Sequence, residues 1–147
     1  MDYIEPSTIK YYGECEPLVN GLGYSLVELQ VFKRQQNWQV KAVITGENGV
    51  GVDDCAKVHR ALLTRLEAIL DSQDVYVEVA SPGLDRIVKN AAEFKLFIGK
   101  TAKFRLVDAN DWIQGSIVSS DDTAVLIDTG TEKLSVPHSE IAKAKLA

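Results

Sequence analysis

Gly46-Glu-Asn-Gly-Val-Gly51 is the stretch of the chain that comes nearest to a phosphate-binding loop. It lacks the Gly-Lys-Ser/Thr end that such a loop needs, and Glu47 would repel a phosphate. Its Gly-x-x-Gly spacing also matches a KH loop. That loop joins two helices, whereas this one follows a strand and precedes a helix, so it reads as a structural turn. No Gly-x-Ser-x-Gly elbow occurs. His59 and His138 stand alone, with no metal-ligand spacing and no neighbouring nucleophile. Cys15 and Cys55 form no Cys-x-x-Cys pair and read as small packed residues. The expectation is a protein without catalytic residues, metal or cofactor, and without a small-molecule substrate.

The chemistry that remains is electrostatic. Residues 1–85 hold 13 acidic and 7 basic residues, net −6. Residues 86–105 reverse the sign: Arg86, Lys89, Lys95, Lys100, Lys103 and Arg105 face Glu93 alone, net +5. Residues 106–147 return to net −4. A local basic segment can present a phosphate-binding face on an acidic protein, because charges act within about 8–10 Å at ordinary ionic strength. A solvated lysine-rich linker and edge strand would give the same composition. The acids of the last block, Asp108, Asp111, Asp121 and Asp122, fall at expected turns. There they could meet a basic protein or serve the turns alone.

The whole chain has 147 residues, 46% of them hydrophobic and 25% charged, with a formal net charge of −5. That is the balance of a globular protein with one average domain or two small ones. No apolar run approaches the roughly 18 residues of a membrane span, and no signal-peptide pattern is visible. A cytoplasmic protein that does not engage membranes is expected.

The elements that must carry these charges follow from periodicity. Ser7 is expected to cap a helix running to about Asn20, weakened by Gly13 and Pro17. Tyr24–Phe32 and Trp38–Thr45 alternate as strands, the first with Val27, Leu29 and Val31 on one face, the second with Trp38 on its apolar face. In the next helix, Cys55, Val58, Leu62, Leu66 and Ile69 step by three or four, with Asp53 or Asp54 as the cap. Val75, Val77 and Val79 mark a third strand. This αββαβ order predicts a three-stranded sheet with two helices over residues 1–85. Pro82-Gly83 suits a type II turn, with Asp85 and Arg86 beside it, and the domain junction is placed here. A short helix, Ala91–Ile98, leads into residues 86–147. Strands are expected at 101–107, 112–118, 123–128, 133–136 and 141–146, with Trp112 following a polar turn. Short strands at this density predict an α+β protein ending in a small SH3-like barrel, since closure removes exposed edges.

Tyr76-Val-Glu-Val-Ala-Ser-Pro-Gly-Leu-Asp-Arg86 resembles the hallmark of the bacterial ribosome maturation factor RimP family. Leu22-Gly-Tyr-Ser-Leu-Val27, Val52-Asp-Asp-Cys55, Glu93-Phe-Lys-Leu-Phe-Ile-Gly99 and Ile141-Ala-Lys-Ala-Lys-Leu146 resemble other parts of that family, in the same order. The resemblance implies a non-enzymatic assembly factor, and a monomer is expected. Such a factor binds the immature small ribosomal subunit and its rRNA, acts near the decoding centre and assists incorporation of a basic small-subunit protein. A general RNA-binding adaptor with a KH-like domain and an SH3-type interaction module are the competing expectations.

Overall fold

The computed structural model describes residues 1–147, which divide into two compact units, Pro6–Pro82 and Gly83–Ala147 together with Met1–Glu5. The first five residues therefore side with the second unit rather than with the helices and strands that follow them.

In the first unit, helix α1 spans Tyr12–Gly21, β1 Ser25–Arg34, β2 Asn37–Thr45, α2 Val52–Leu70 and β3 Val75–Ala80. Ser7 does not cap α1. Pro6–Thr8 is a separate 3₁₀ turn, and Tyr11, in the left-handed region at φ 68°, redirects the chain just before the helix. Tyr12 is then buried and its hydroxyl donates to the Leu26 carbonyl at 2.6 Å, which ties α1 to β1. The second helix also starts differently from the expectation. Gly51 holds the cap position, and Asp54, three residues on, accepts the Gly51 N–H at 2.8 Å. Either arrangement satisfies an orphan donor of the first turn.

The sheet order is β1-β2-β3, antiparallel between β1 and β2 and parallel between β2 and β3, with α2 as the crossover. A register shift between Leu26 and Glu28 changes which residues of β1 face the core. Leu26 lies opposite Ile44 and Leu29 opposite Ala42, so both enter the core although they differ by an odd number of residues. The bulge absorbs Val27, which the unbroken alternation had placed with Leu29. Val58, Leu62 and Leu66 of α2 close the core from the helical side. Cys55 is only half-buried.

In the second unit a 3₁₀ segment, Ala91–Phe97, precedes β4 (Thr101–Leu106), β5 (Trp112–Ser120), β6 (Ala124–Asp128), β7 (Lys133–Pro137) and β8 (Ile141–Leu146). The expected short helix is present but wound more tightly. The strands form one antiparallel sheet in the order β7-β6-β5-β4-β8, which does not close on itself. The closed barrel expected from strand density is thus replaced by an open sheet. Its β8 edge is met another way: Ile87 bridges Lys145, the Val88 N–H donates to Ala144, and the Leu146 N–H donates to Arg86. A short piece of linker satisfies the strand edge, and an edge so covered does not require closure. Phe94, Phe97, Phe104, Ile117 and Ile127 fill the core of this unit. No helix of the chain is long and apolar enough to cross a membrane.

Candidate nucleic-acid interface

Strand β4 reads Thr-Ala-Lys-Phe-Arg-Leu. Its period of two sends Ala102 and Phe104 into the core and Lys103 and Arg105 to the other face. Strand β8 reads Ile-Ala-Lys-Ala-Lys-Leu, with Ala144 and Leu146 buried and Lys143 and Lys145 on the opposite face. The two strands pair with Lys103 opposite Lys145 and Arg105 opposite Lys143. On the other side of β4, Arg105 lies opposite Trp112 and Lys103 opposite Gln114. The outer face therefore carries two rows across three strands, Trp112–Arg105–Lys143 and Gln114–Lys103–Lys145. Neighbours within a row are about 5 Å apart, and the rows about 7 Å.

Trp112 is 38% exposed. The Arg105 guanidinium carbon lies 5.9 Å from its ring centroid and the Lys145 ammonium 5.3 Å. Both are cation–π distances. None of the four cations lies in an ion pair. Like charges held this close repel one another, and a polyanion laid across them relieves that repulsion.

The other residues expected to bind RNA are dispersed. Arg86 is a correction: it is buried, and its Nε and Nη2 donate to the two Glu93 carboxylate oxygens at 2.8 and 3.0 Å. Glu93 also accepts the Lys89 and Asn90 N–H groups. Arg86 therefore fastens the linker to the 3₁₀ segment. Its guanidinium is not presented to a ligand. Lys89 is an exposed linker residue, Lys95 is exposed on the 3₁₀ segment, and Lys100 is exposed just before β4. Only Lys103 and Arg105 of the six lie on the two rows.

The four aspartates also separate. Asp108 and Asp111 are exposed in the loop before β5, Asp121 and Asp122 in the turn after it. The nine-residue length of β5 puts the two pairs roughly 26 Å apart. Asp121 is engaged in its turn, accepting the Thr123 N–H, the Thr123 hydroxyl and the Ala124 N–H at 2.8–2.9 Å. The backbone donors of Thr123 and Ala124 hold its carboxyl below the usual range. At the junction, Gly83 has φ 78°, the positive value that the turn at Pro82-Gly83 requires, and Asp85 is exposed.

Cys15 and His138 are both held in the interior. Burial pushes the Cys15 thiol up to about 11, so it stays protonated at neutral pH. His138 is buried, stacks on Phe94, and one ring nitrogen contacts the Asp121 carbonyl at 2.8 Å.

Lys143, Lys145, Trp112 and Gln114 were not singled out as ligand-binding residues from the sequence. The alternation Lys-Ala-Lys in β8 was a signal that two cations share a face. Which face they join depends on the first and last strands of the sheet being neighbours, and periodicity does not carry that.

This pairing of an αββαβ unit with a small all-β unit bearing a cationic face defines a two-part architecture, and comparison with known proteins identifies its family. Residues 14–85 match the RimP N-terminal domain. The ribosome maturation factor RimP of Borrelia turicatae is 29% identical over 136 residues, covering 92% of this chain and 93% of that protein. The RimP of Borrelia recurrentis is 31% identical over 126 residues, covering 86% of each. The chain belongs to the RimP family.

Proposed function

We propose that this protein is a ribosome maturation factor that binds the immature small ribosomal subunit and assists its maturation near the decoding centre. Its relatives are named ribosome maturation factors. The observation that carries the RNA part of the reading is the cationic face, Lys103, Arg105, Lys143 and Lys145 around Trp112. These cations meet rRNA phosphates. The exposed aspartates at the ends of β5 favour encounter with a basic small-subunit protein, because complementary charge chiefly speeds association. No step of this function asks for bond chemistry, so the protein acts as a non-enzymatic, cytoplasmic assembly factor.

A density-gradient profile tests the reading. The factor should travel with small-subunit precursors and leave mature subunits, and the variant K103Q/R105Q/K143Q/K145Q should lose the precursor peak while remaining folded. A general RNA adaptor would follow any RNA, and a protein-interaction module would follow none.

A further inference from the structure

We infer that the cationic face is a site for single-stranded RNA, in which the Trp112 indole stacks on one unpaired base while Lys103, Arg105, Lys143 and Lys145 hold the phosphates beside it. The inference rests on the reading of this face as an rRNA interface and names the form of RNA that fits it.

The indole stands where a base can reach it. Strand β6 ends at Asp128, opposite Ser116, so β5 at Trp112 is flanked by a strand only on its β4 side. Both cations on the ring, Arg105 and Lys145, come from that β4 and β8 side. The other flank of the indole is left without a strand. A large aromatic ring at a solvent-facing strand position stabilises the free protein little, whereas stacking with a base uses its full face.

The polar groups beside it suit a nucleotide. A recess of about 240 Å³ is lined by Lys103, Trp112, Gln114 and Lys145. The Gln114 carboxamide has both a donor and an acceptor for a base edge. The loop at the Trp112 end carries Asp108 and Asp111, which repel phosphate. The RNA backbone therefore runs away from that loop, across Arg105 and Lys143 to the row of Gln114, Lys103 and Lys145. A duplex could meet the cations through its phosphates, but its bases are already stacked and none is available to Trp112. An acidic peptide could meet the cations too, and would bring no base to the ring.

The full-length chain can be titrated with a uridylate oligomer of about ten nucleotides, within the site sizes usual for such surfaces, and with an RNA duplex of the same length. Quenching of tryptophan emission and anisotropy of labelled RNA are the readouts, and Trp38 serves as a constant background. The oligomer should quench emission. Trp112→Ala should weaken oligomer binding about thirtyfold, the middle of the range for one stacked base. Its salt dependence should be unchanged, and Trp112→Phe should recover most of the affinity. Duplex binding should be the same in the wild type and Trp112→Ala. Oligomer binding that ignores Trp112→Ala overturns the stacking inference, as does duplex binding that falls in parallel. A polyglutamate peptide that binds with the same dependence on Trp112 overturns it in favour of a protein partner. The variant K103Q/R105Q/K143Q/K145Q separates the two levels. If its salt slope equals that of the wild type, the rRNA reading of the face is lost along with the inference. If the slope flattens while Trp112→Ala binds normally, only the stacking inference falls.

Discussion

Arg86 and Glu93 form a bidentate pair with both side chains buried, at 7% and 4% exposure. Two buried opposite charges contribute little over a well-packed apolar pair, but removing one leaves the other uncompensated at about 3–5 kcal/mol. Glu93→Gln should therefore lower the urea midpoint strongly, by an equivalent of about 3 kcal/mol. A midpoint within error of the wild type would mean that solvent reaches the arginine. A second residue-scale prediction concerns pH. The Tyr24 hydroxyl donates to Asp54, and with the Gly51 N–H it holds that carboxyl below the usual range. A lowered folded pKa makes the contribution fully present above the unfolded value of about 4. It is lost as pH falls through the lower folded value. Stability curves of the wild type and Asp54→Asn should differ at neutral pH and converge in acid. A gap that stays constant down to about pH 2 would show that Asp54 does not titrate with folding.

At the scale of elements, Gly115 decides how β5 meets β6. A Cβ placed there would lie 2.8 Å from the Asp128 carbonyl oxygen, which is backbone and cannot turn aside. The close approach holds the end of β6 against β5, just past the point where Trp112 loses its second neighbour. Gly115→Ala should cost about 1–3 kcal/mol through overpacking. It should speed amide exchange in β5 and β6 while leaving β1–β3 protected. Uniform loss of protection across both units would contradict this local account. The bulge in β1 works in the opposite sense, since it adds a residue and so brings both Leu26 and Leu29 to the core.

For the whole molecule, the two units predict separable responses. Met1–Glu5 belongs with the second unit. The amino terminus donates to the His138 and Ile141 carbonyls, and Asn90 exchanges two hydrogen bonds with Ile4 at 2.9 Å. The Ala91 N–H donates to Asp2. Deleting residues 1–5 should therefore raise amide exchange around Ala91–Phe97 and β8. Residues 6–82 should keep their protection, because their core holds none of the deleted residues. Faster exchange throughout β1–β3 would show that the division is not an energetic one. Salt dependence belongs to this scale as well. If four cations each neutralise one phosphate of a single strand, log K against log salt should slope at about −3. The four-glutamine variant should bring that slope close to zero, as measured by anisotropy at several salt concentrations.

Periodicity alone was enough for the elements. The α2 stripe, the alternating strands and the positive-φ glycine in Pro82-Gly83 express local backbone and burial preferences, and such preferences are written in neighbouring residues. The family was legible for the same reason, since Tyr76–Arg86 and four further segments keep one order along the chain. What lay outside local reach was decided by contacts between distant residues. Ser7 lost the helix start to a left-handed Tyr11 and to the anchoring of Tyr12 on Leu26. The β1 bulge set Leu26 beside Leu29 in the core cluster under α2, while Val27 is buried outside that cluster. The expected barrel is an open sheet, and the linker at Ile87 and Val88 meets its β8 edge. The basic segment was visible as composition, yet composition could not separate Arg86, turned inward to Glu93, from Arg105, turned outward beside Trp112. Nor could it bring Lys143 and Lys145 to Lys103 and Arg105, because β8 pairs with β4, Arg105 opposite Lys143 and Lys103 opposite Lys145, far apart along the chain. A charged face of this kind exists only once the sheet order is set, since strand pairing, and not sequence distance, decides which side chains are neighbours.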